Sequence, residues 1–93
     1  DSEILYIEVQ GHNLIYHTLH GDLTATGTLK QIEAQLKPSG FYRCNYCYLV
    51  NLRHVGFLDG SEVTVGQYKL QISRNRRKEF LQQLTQFYGR GGR

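Results

Sequence analysis

The chain has 93 residues, 40% of them hydrophobic and 20% charged, with seven Tyr, four Phe and no Met or Trp. That composition belongs to one small globular domain and excludes a disordered, collagen-like or coiled-coil chain. The net charge of +3 hides an asymmetry: residues 1–68 hold 4 Lys/Arg and 7 Asp/Glu, residues 69–93 hold 7 Lys/Arg and one acid, Glu79. An acidic body with a strongly basic end points to an anionic partner, nucleic acid or a membrane surface.

In chain order, Ile4–Val9 reads as a strand, Gly11-His12-Asn13 as a turn and Leu14–Leu19 as a second strand. Gly21-Asp22 turns the chain into a polar strand around Leu23–Thr26, so the spacing predicts a hairpin meander. Leu29, Ile32 and Leu36 then recur at helical spacing, Thr28 and Gln31 have capping-box spacing, and Pro38 with Gly40 stops a helix of two turns. Strands resume from Phe41, through Tyr48-Leu49-Val50 and Val55–Leu58, to the hairpin signal Asp59-Gly60. Val63 and Val65 alternate with Glu62 and Thr64, and Tyr68, Leu70 and Ile72 with Lys69 and Gln71, as expected of strands with one wet face. Phe80, Leu81, Leu84, Phe87 and Tyr88 mark one stripe of a terminal helix with Ser73 as its N-cap. The expected core is about 4–88, and 89–93 is flexible by composition.

Two cysteines are too few for a disulfide framework, which makes the cytoplasm the expected compartment. No apolar run approaches the roughly 20 residues of a spanning helix, and no signal peptide opens the chain, so no membrane contact is expected. The missing Met at position 1 suggests a piece of something longer.

The start of the last helix is the most informative place. Arg74, Arg76, Arg77 and Lys78 crowd its first turns, where the helix dipole disfavours each cation by a few tenths of a kcal/mol. A bound phosphate reverses that sign, because backbone N–H groups and cations then converge on one anion. The plain alternative is a solvated basic helix face, and the conflict with the dipole sets the two readings level. Three of the four cations are Arg, suited to bidentate recognition of guanine or phosphate. They cluster at one end, whereas a membrane-surface helix spreads its basic residues along one face. Nucleic acid is the better partner.

Cys44 and Cys47 form a lone CxxC. Structural zinc wants four ligands, and His17 and His20 fall on opposite faces of an extended strand, so two half-buried thiols are the simpler reading. No metal or cofactor is expected. The histidines form no catalytic constellation: His17 and His54 read as strand-face or turn residues, and His12 stands at a hairpin tip beside Asn13. Gly89-Arg90-Gly91-Gly92-Arg93 faintly resembles an RNA-binding tail but is too short to count. No enzyme activity is expected.

The run Phe41-Tyr42-Arg43-Cys44-Asn45-Tyr46-Cys47-Tyr48-Leu49-Val50-Asn51 resembles the central signature of the LytTR DNA-binding domain, Phe-x-Arg-x-His-Arg-Ser followed by an apolar or aromatic pair, Val and Asn. Ser73-Arg74-Asn75-Arg76 matches the family's second signature, and the likeness covers about Leu5 to Phe80. The resemblance implies a mainly β fold of elongated antiparallel sheets with a short central helix and a C-terminal helix. It implies the DNA-binding output domain of a bacterial two-component response regulator, behind a receiver domain, contacting successive major grooves of promoter DNA through loops. Paired repeats on the DNA and a dimer there are expected with it.

Carried over by position, His12 and Asn13 fall in the first DNA-contacting loop, Tyr46 at a contacting position of the middle loop, and Arg74 at a base-contacting position of the third. By the same likeness Asn45, Asn75 and Arg77 fall at backbone-contacting positions, Arg76 joins them as a phosphate ligand, and Arg43 is the motif Arg, equally readable as structural. Asn45, Tyr46 and Cys47 replace His, Arg and Ser of the signature, so the middle loop has lost a cation. It is expected to read a different base, or to read less. The alternative function is a basic β module that binds RNA or a protein.

Overall fold

The structure, a computed structural model, describes residues 2–89. The chain runs β1 (Ile4–Gln10), β2 (Asn13–Thr18), β3 (Gly21–Thr26), α1 (Leu29–Leu36), β4 (Phe41–Asn45) and β5 (Tyr48–Asn51). It continues through β6 (Val55–Asp59), β7 (Glu62–Val65), β8 (Tyr68–Gln71) and α2 (Arg77–Gly89), with 3₁₀ turns at Lys37–Ser39, Leu52–His54 and Arg74–Arg76. The mainly β expectation with two helices holds, and every strand pairing is antiparallel.

Two sheets form. The meander β1-β2-β3 is extended on its other side by the β4–β5 hairpin, giving the order β3-β2-β1-β5-β4, while β6-β7-β8 stands as a separate three-stranded sheet. β1 is central because successive residues Leu5, Tyr6 and Ile7 are all buried, the mark of a strand covered on both faces. Ile7, Leu14, Phe41 and Leu49 face α1 and pack against its Leu29 and Leu36. Tyr6, Cys44 and Val50 face the other way, into a second core with Val63, Val65, Leu70, Ile72, Phe80 and Phe87. Each such large apolar side chain contributes about 1.5–3 kcal/mol on burial. The five-stranded sheet is thus a middle layer between α1 and the second sheet with α2.

Local chemistry sets the element ends. Gly11, at φ +60°, fills the first central position of the two-residue turn between Gln10 and Asn13, a conformation that L side chains resist. The Thr28 hydroxyl accepts from the Gln31 N–H at 3.2 Å, capping α1 as its sequence predicts. After the 3₁₀ turn containing Pro38, Gly40 takes φ +89° and lets the chain swing into β4. Asp59 is the last residue of β6, opposite Glu62, and the hairpin loop is Gly60-Ser61.

One capping expectation fails. The Ser73 side chain accepts nothing from a helix; its Oγ instead donates to the Cys44 carbonyl at 3.4 Å. The α-helix begins at Arg77, so Arg74 and Arg76 sit in a preceding 3₁₀ turn, and only Arg77 and Lys78 occupy the first α turn, with Glu79 beside them. The conflict between cations and helix dipole is correspondingly smaller than the sequence implies. The expected flexible tail falls, apart from helical Gly89, outside the described residues. Among the described residues no helix is long and apolar enough to cross a membrane.

Candidate nucleic-acid interface

Three segments named from the sequence meet along one edge. The β1–β2 turn and the β4–β5 loop adjoin because β1 and β5 are antiparallel neighbours, and the Val9 N–H donates to the Cys47 carbonyl at 3.0 Å. The segment after β8 joins them through the Ser73 N–H, which donates to the Cys44 carbonyl at 2.9 Å. The β6–β7 turn lies next to that segment, where the Ile72 N–H donates to the Ser61 carbonyl at 2.7 Å. The result is a row of three hairpin tips and the 3₁₀ turn that precedes α2, linked by backbone hydrogen bonds.

His12 and Asn13 are exposed at the first tip. Tyr46 is 78% exposed at the second, which is unusual for so large an aromatic. Arg74 and Asn75 are exposed at the 3₁₀ turn, Arg76 and Arg77 are half-buried, and Lys78 is exposed beside them. Arg77 donates from Nε to the Gly60 carbonyl at 2.7 Å, so its stem is pinned to the β6–β7 turn. Lys78 belongs to the same basic end, as the run of cations in the sequence showed.

Two of the named residues are turned inward. Arg43 is 14% exposed, donates from Nε to Glu33 of α1 at 3.0 Å, and reaches the Tyr46 carbonyl at 3.5 Å. It therefore braces the middle loop against the helix. Asn45 is 7% exposed: its Nδ2 donates to the Gln71 carbonyl at 2.6 Å and its Oδ1 accepts from the Cys47 N–H at 2.8 Å and Cys47 Sγ at 2.9 Å. A side chain so engaged is placed to hold the loop, not to reach a phosphate outside it.

The thiols are passive. Burial pushes the Cys44 thiol up to about 12, with Cys47 adding to the rise. Burial, then the Glu8 carboxylate, raises Cys47 as well. Both stay protonated at neutral pH, the opposite of an activated thiol. Among the described residues no three His, Cys, Asp or Glu side chains are arranged to hold a metal ion. Tyr42, whose hydroxyl donates to Glu79 at 2.9 Å, is also raised, first by burial and then by that bond, while Arg76 nearby pulls it back.

His17 carries more structure than its strand position suggests. It is buried, stacks on Tyr6 at 4.2 Å, and sets its ring nitrogens against Glu8 at 2.9 Å and Asp22 at 3.0 Å. It thereby ties β1, β2 and β3 together. Burial first, then Glu8, pushes the neighbouring Tyr6 phenol well above its usual range.

An antiparallel β domain that presents a row of exposed loops beside a basic end offers one surface suited to an anionic partner. The chain belongs to the LytTr DNA-binding domain family, whose match covers residues 2–85. That family is one of DNA-binding domains, not of enzymes, and is typical of response-regulator output domains. Among solved structures the chain is similar to a Bacillus cereus domain described as the LytTr DNA-binding domain of a methyl-accepting/DNA response regulator. The two share 20% identity at a TM-score of 0.80, over 89% of this chain and 82% of that one, a likeness in fold. No curated protein matches the chain.

Proposed function

We propose that this domain binds double-stranded promoter DNA sequence-specifically, as the cytoplasmic output half of a bacterial two-component response regulator. The observation that carries the proposal is the convergence of His12, Tyr46 and Arg74 at three adjacent segments on one edge. His12, Asn13, Tyr46 and Arg74 face base edges in successive major grooves, while Asn75, Arg76 and Arg77 hold phosphates. Arg43 and Asn45 support the middle loop from behind. Two copies are expected side by side on paired repeats about one helical turn apart.

The aromatic residues support duplex over single strands. Of the Tyr and Phe side chains only Tyr46, Phe57 and Tyr88 are exposed, on three different elements, and the Tyr88 hydroxyl is bonded to the Leu52 and Val55 carbonyls at 3.2 and 3.1 Å. A stacking platform for a single strand needs several exposed rings. Anisotropy titrations with duplex DNA, single-stranded DNA and RNA across a salt series test the proposal. Duplex preference is expected, and with about five phosphates neutralised, log affinity against log salt should have a slope near −4 to −5. Tighter binding of RNA or single strands, or a flat salt profile, would overturn it.

A further inference from the structure

The loops that meet at this edge belong to two separate sheets. The β1–β2 turn and the β4–β5 loop close hairpins of the five-stranded sheet, whereas Ser73–Arg77 leaves the last strand of the three-stranded sheet. No strand is common to both sheets, so the distance from Tyr46 to Arg74 depends on what ties the end of β4 to the exit of β8. One tie is the backbone bond from Ser73 to Cys44 at 2.9 Å. Longer bonds run from Ser73 Oγ to the Cys44 carbonyl at 3.4 Å and from Cys44 Sγ to the Gln71 carbonyl at 3.6 Å, and the shortest is the Asn45 side chain, whose Nδ2 holds the Gln71 carbonyl at 2.6 Å while its Oδ1 holds the Cys47 N–H at 2.8 Å.

We propose that Asn45 is a positioning residue for base specificity: its amide brackets the middle loop to the exit of β8 and keeps Tyr46 and Arg74 in register on one duplex. This rests on the DNA-binding reading above. A primary amide suits the place because one end donates and the other accepts, and only one orientation of the group satisfies both partners. The bracket continues outward. Gln71 Nε2 donates to the Ser61 hydroxyl at 3.0 Å, and the β6–β7 turn that contains Ser61 also holds Arg77 through the Gly60 carbonyl. Base-edge hydrogen bonds tolerate little displacement, whereas phosphate contacts from long basic side chains adjust readily. Loss of the bracket therefore reduces discrimination at two positions of the site and leaves the electrostatic grip unchanged.

The test begins with a preferred duplex selected by the wild-type domain. Binding to that site and to its single-base-pair variants is then measured for wild type, Asn45→Ala, Asn45→Ser, Tyr46→Ala and Arg74→Ala, with folding checked by thermal unfolding. Wild type should discriminate about 5- to 150-fold per base pair. Tyr46→Ala should flatten the middle position alone and Arg74→Ala the third alone. Asn45→Ala should cut discrimination at both by about fivefold or more with the salt slope unchanged. If Ala unfolds the domain, Asn45→Ser, which keeps an acceptor for Cys47 but cannot span to Gln71, should show the same double loss. In the wild-type protein, the Cys47 amide should exchange slowly with solvent although it lies in a turn.

A folded Asn45 variant with wild-type discrimination, a loss confined to one position, or a fast Cys47 amide would overturn the bracket. A wild-type domain with no preferred site would overturn the DNA reading itself, and the bracket with it. A clear wild-type site with an unchanged Asn45 profile would sink the bracket alone.

Discussion

Gly40→Ala is the sharpest stability test of the packing. Gly40 holds φ +89°, and a Cβ there would lie 2.7 Å from Cε1 and 3.1 Å from Cδ1 of Phe87, a core side chain of α2. Forcing a non-glycine residue into the left-handed region costs about 1–2 kcal/mol. Displacing a packed ring adds about 1–3 kcal/mol. The sum, about 2–5 kcal/mol, is a large share of the roughly 5–14 kcal/mol expected for 93 residues at about 0.05–0.15 kcal/mol each. Gly11→Ala is the control: φ is +60° but nothing lies within 4 Å of the added carbon. It meets only the backbone strain, partly offset by about 0.4–1 kcal/mol from a stiffer unfolded chain. Urea unfolding of the three proteins should place Gly40→Ala at least 1 kcal/mol below Gly11→Ala, roughly 4–8 °C in Tm. Equal losses for the two variants would refute the contact between the Gly40 bend and Phe87.

Further outcomes follow from the site. Arg74→Ala should cost about 1–3 kcal/mol on the preferred duplex and blur one position of the site, read by competition with single-base-pair variants. Arg77→Ala should weaken binding to all duplexes alike and flatten the salt slope by about one, whereas Arg77→Lys, which keeps the charge but not the Nε donor to Gly60, should retain the slope. For Cys44 the folded thiol is raised from 9.0 to about 12, so its contribution to stability is complete below pH 9 and lost as pH rises towards 12. Denaturation series from about pH 8 to about pH 11 should show a fall that Cys44→Ala makes shallower. An equally steep fall in both proteins would remove Cys44 from that account.

Much of the fold was legible because it is written in short-range periodicity. The α1 pattern, the Thr28 cap, the Gly40 stop and the alternation of Val63, Val65, Leu70 and Ile72 each depend on residues only a few places apart. The insertion of β5 beside β1 depends on pairings such as Ile7 with Leu49, which no local pattern encodes. That β1 is central shows only in the folded chain, where Leu5, Tyr6 and Ile7 are all buried. Ser73 read as a cap because its type and position fitted one. The Cys44 carbonyl, 29 residues away, took its hydroxyl instead.

The candidate site divides the same way. The position of His12 at a hairpin tip was readable from Gly11 and Asn13, whereas Tyr46 was placed in a loop only by the family resemblance and Arg74 read as part of the last helix, not of the 3₁₀ turn before it. Their meeting on one edge was not readable, because it follows from sheet order. Asn45 was carried over as a contact by its position in the family signature, and Arg43 matched the motif Arg but read equally as structural. Their partners, Gln71 and Glu33, are distant in sequence and turn both side chains inward.

The most direct test of the central claim is selection by the isolated domain from a randomised duplex DNA pool at about 0.15 M salt, with the enriched sequences counted. The account predicts a compact motif, recurring at about one helical turn where two copies bind. Retained binding without any enriched sequence would contradict it, reducing the basic edge to an electrostatic grip.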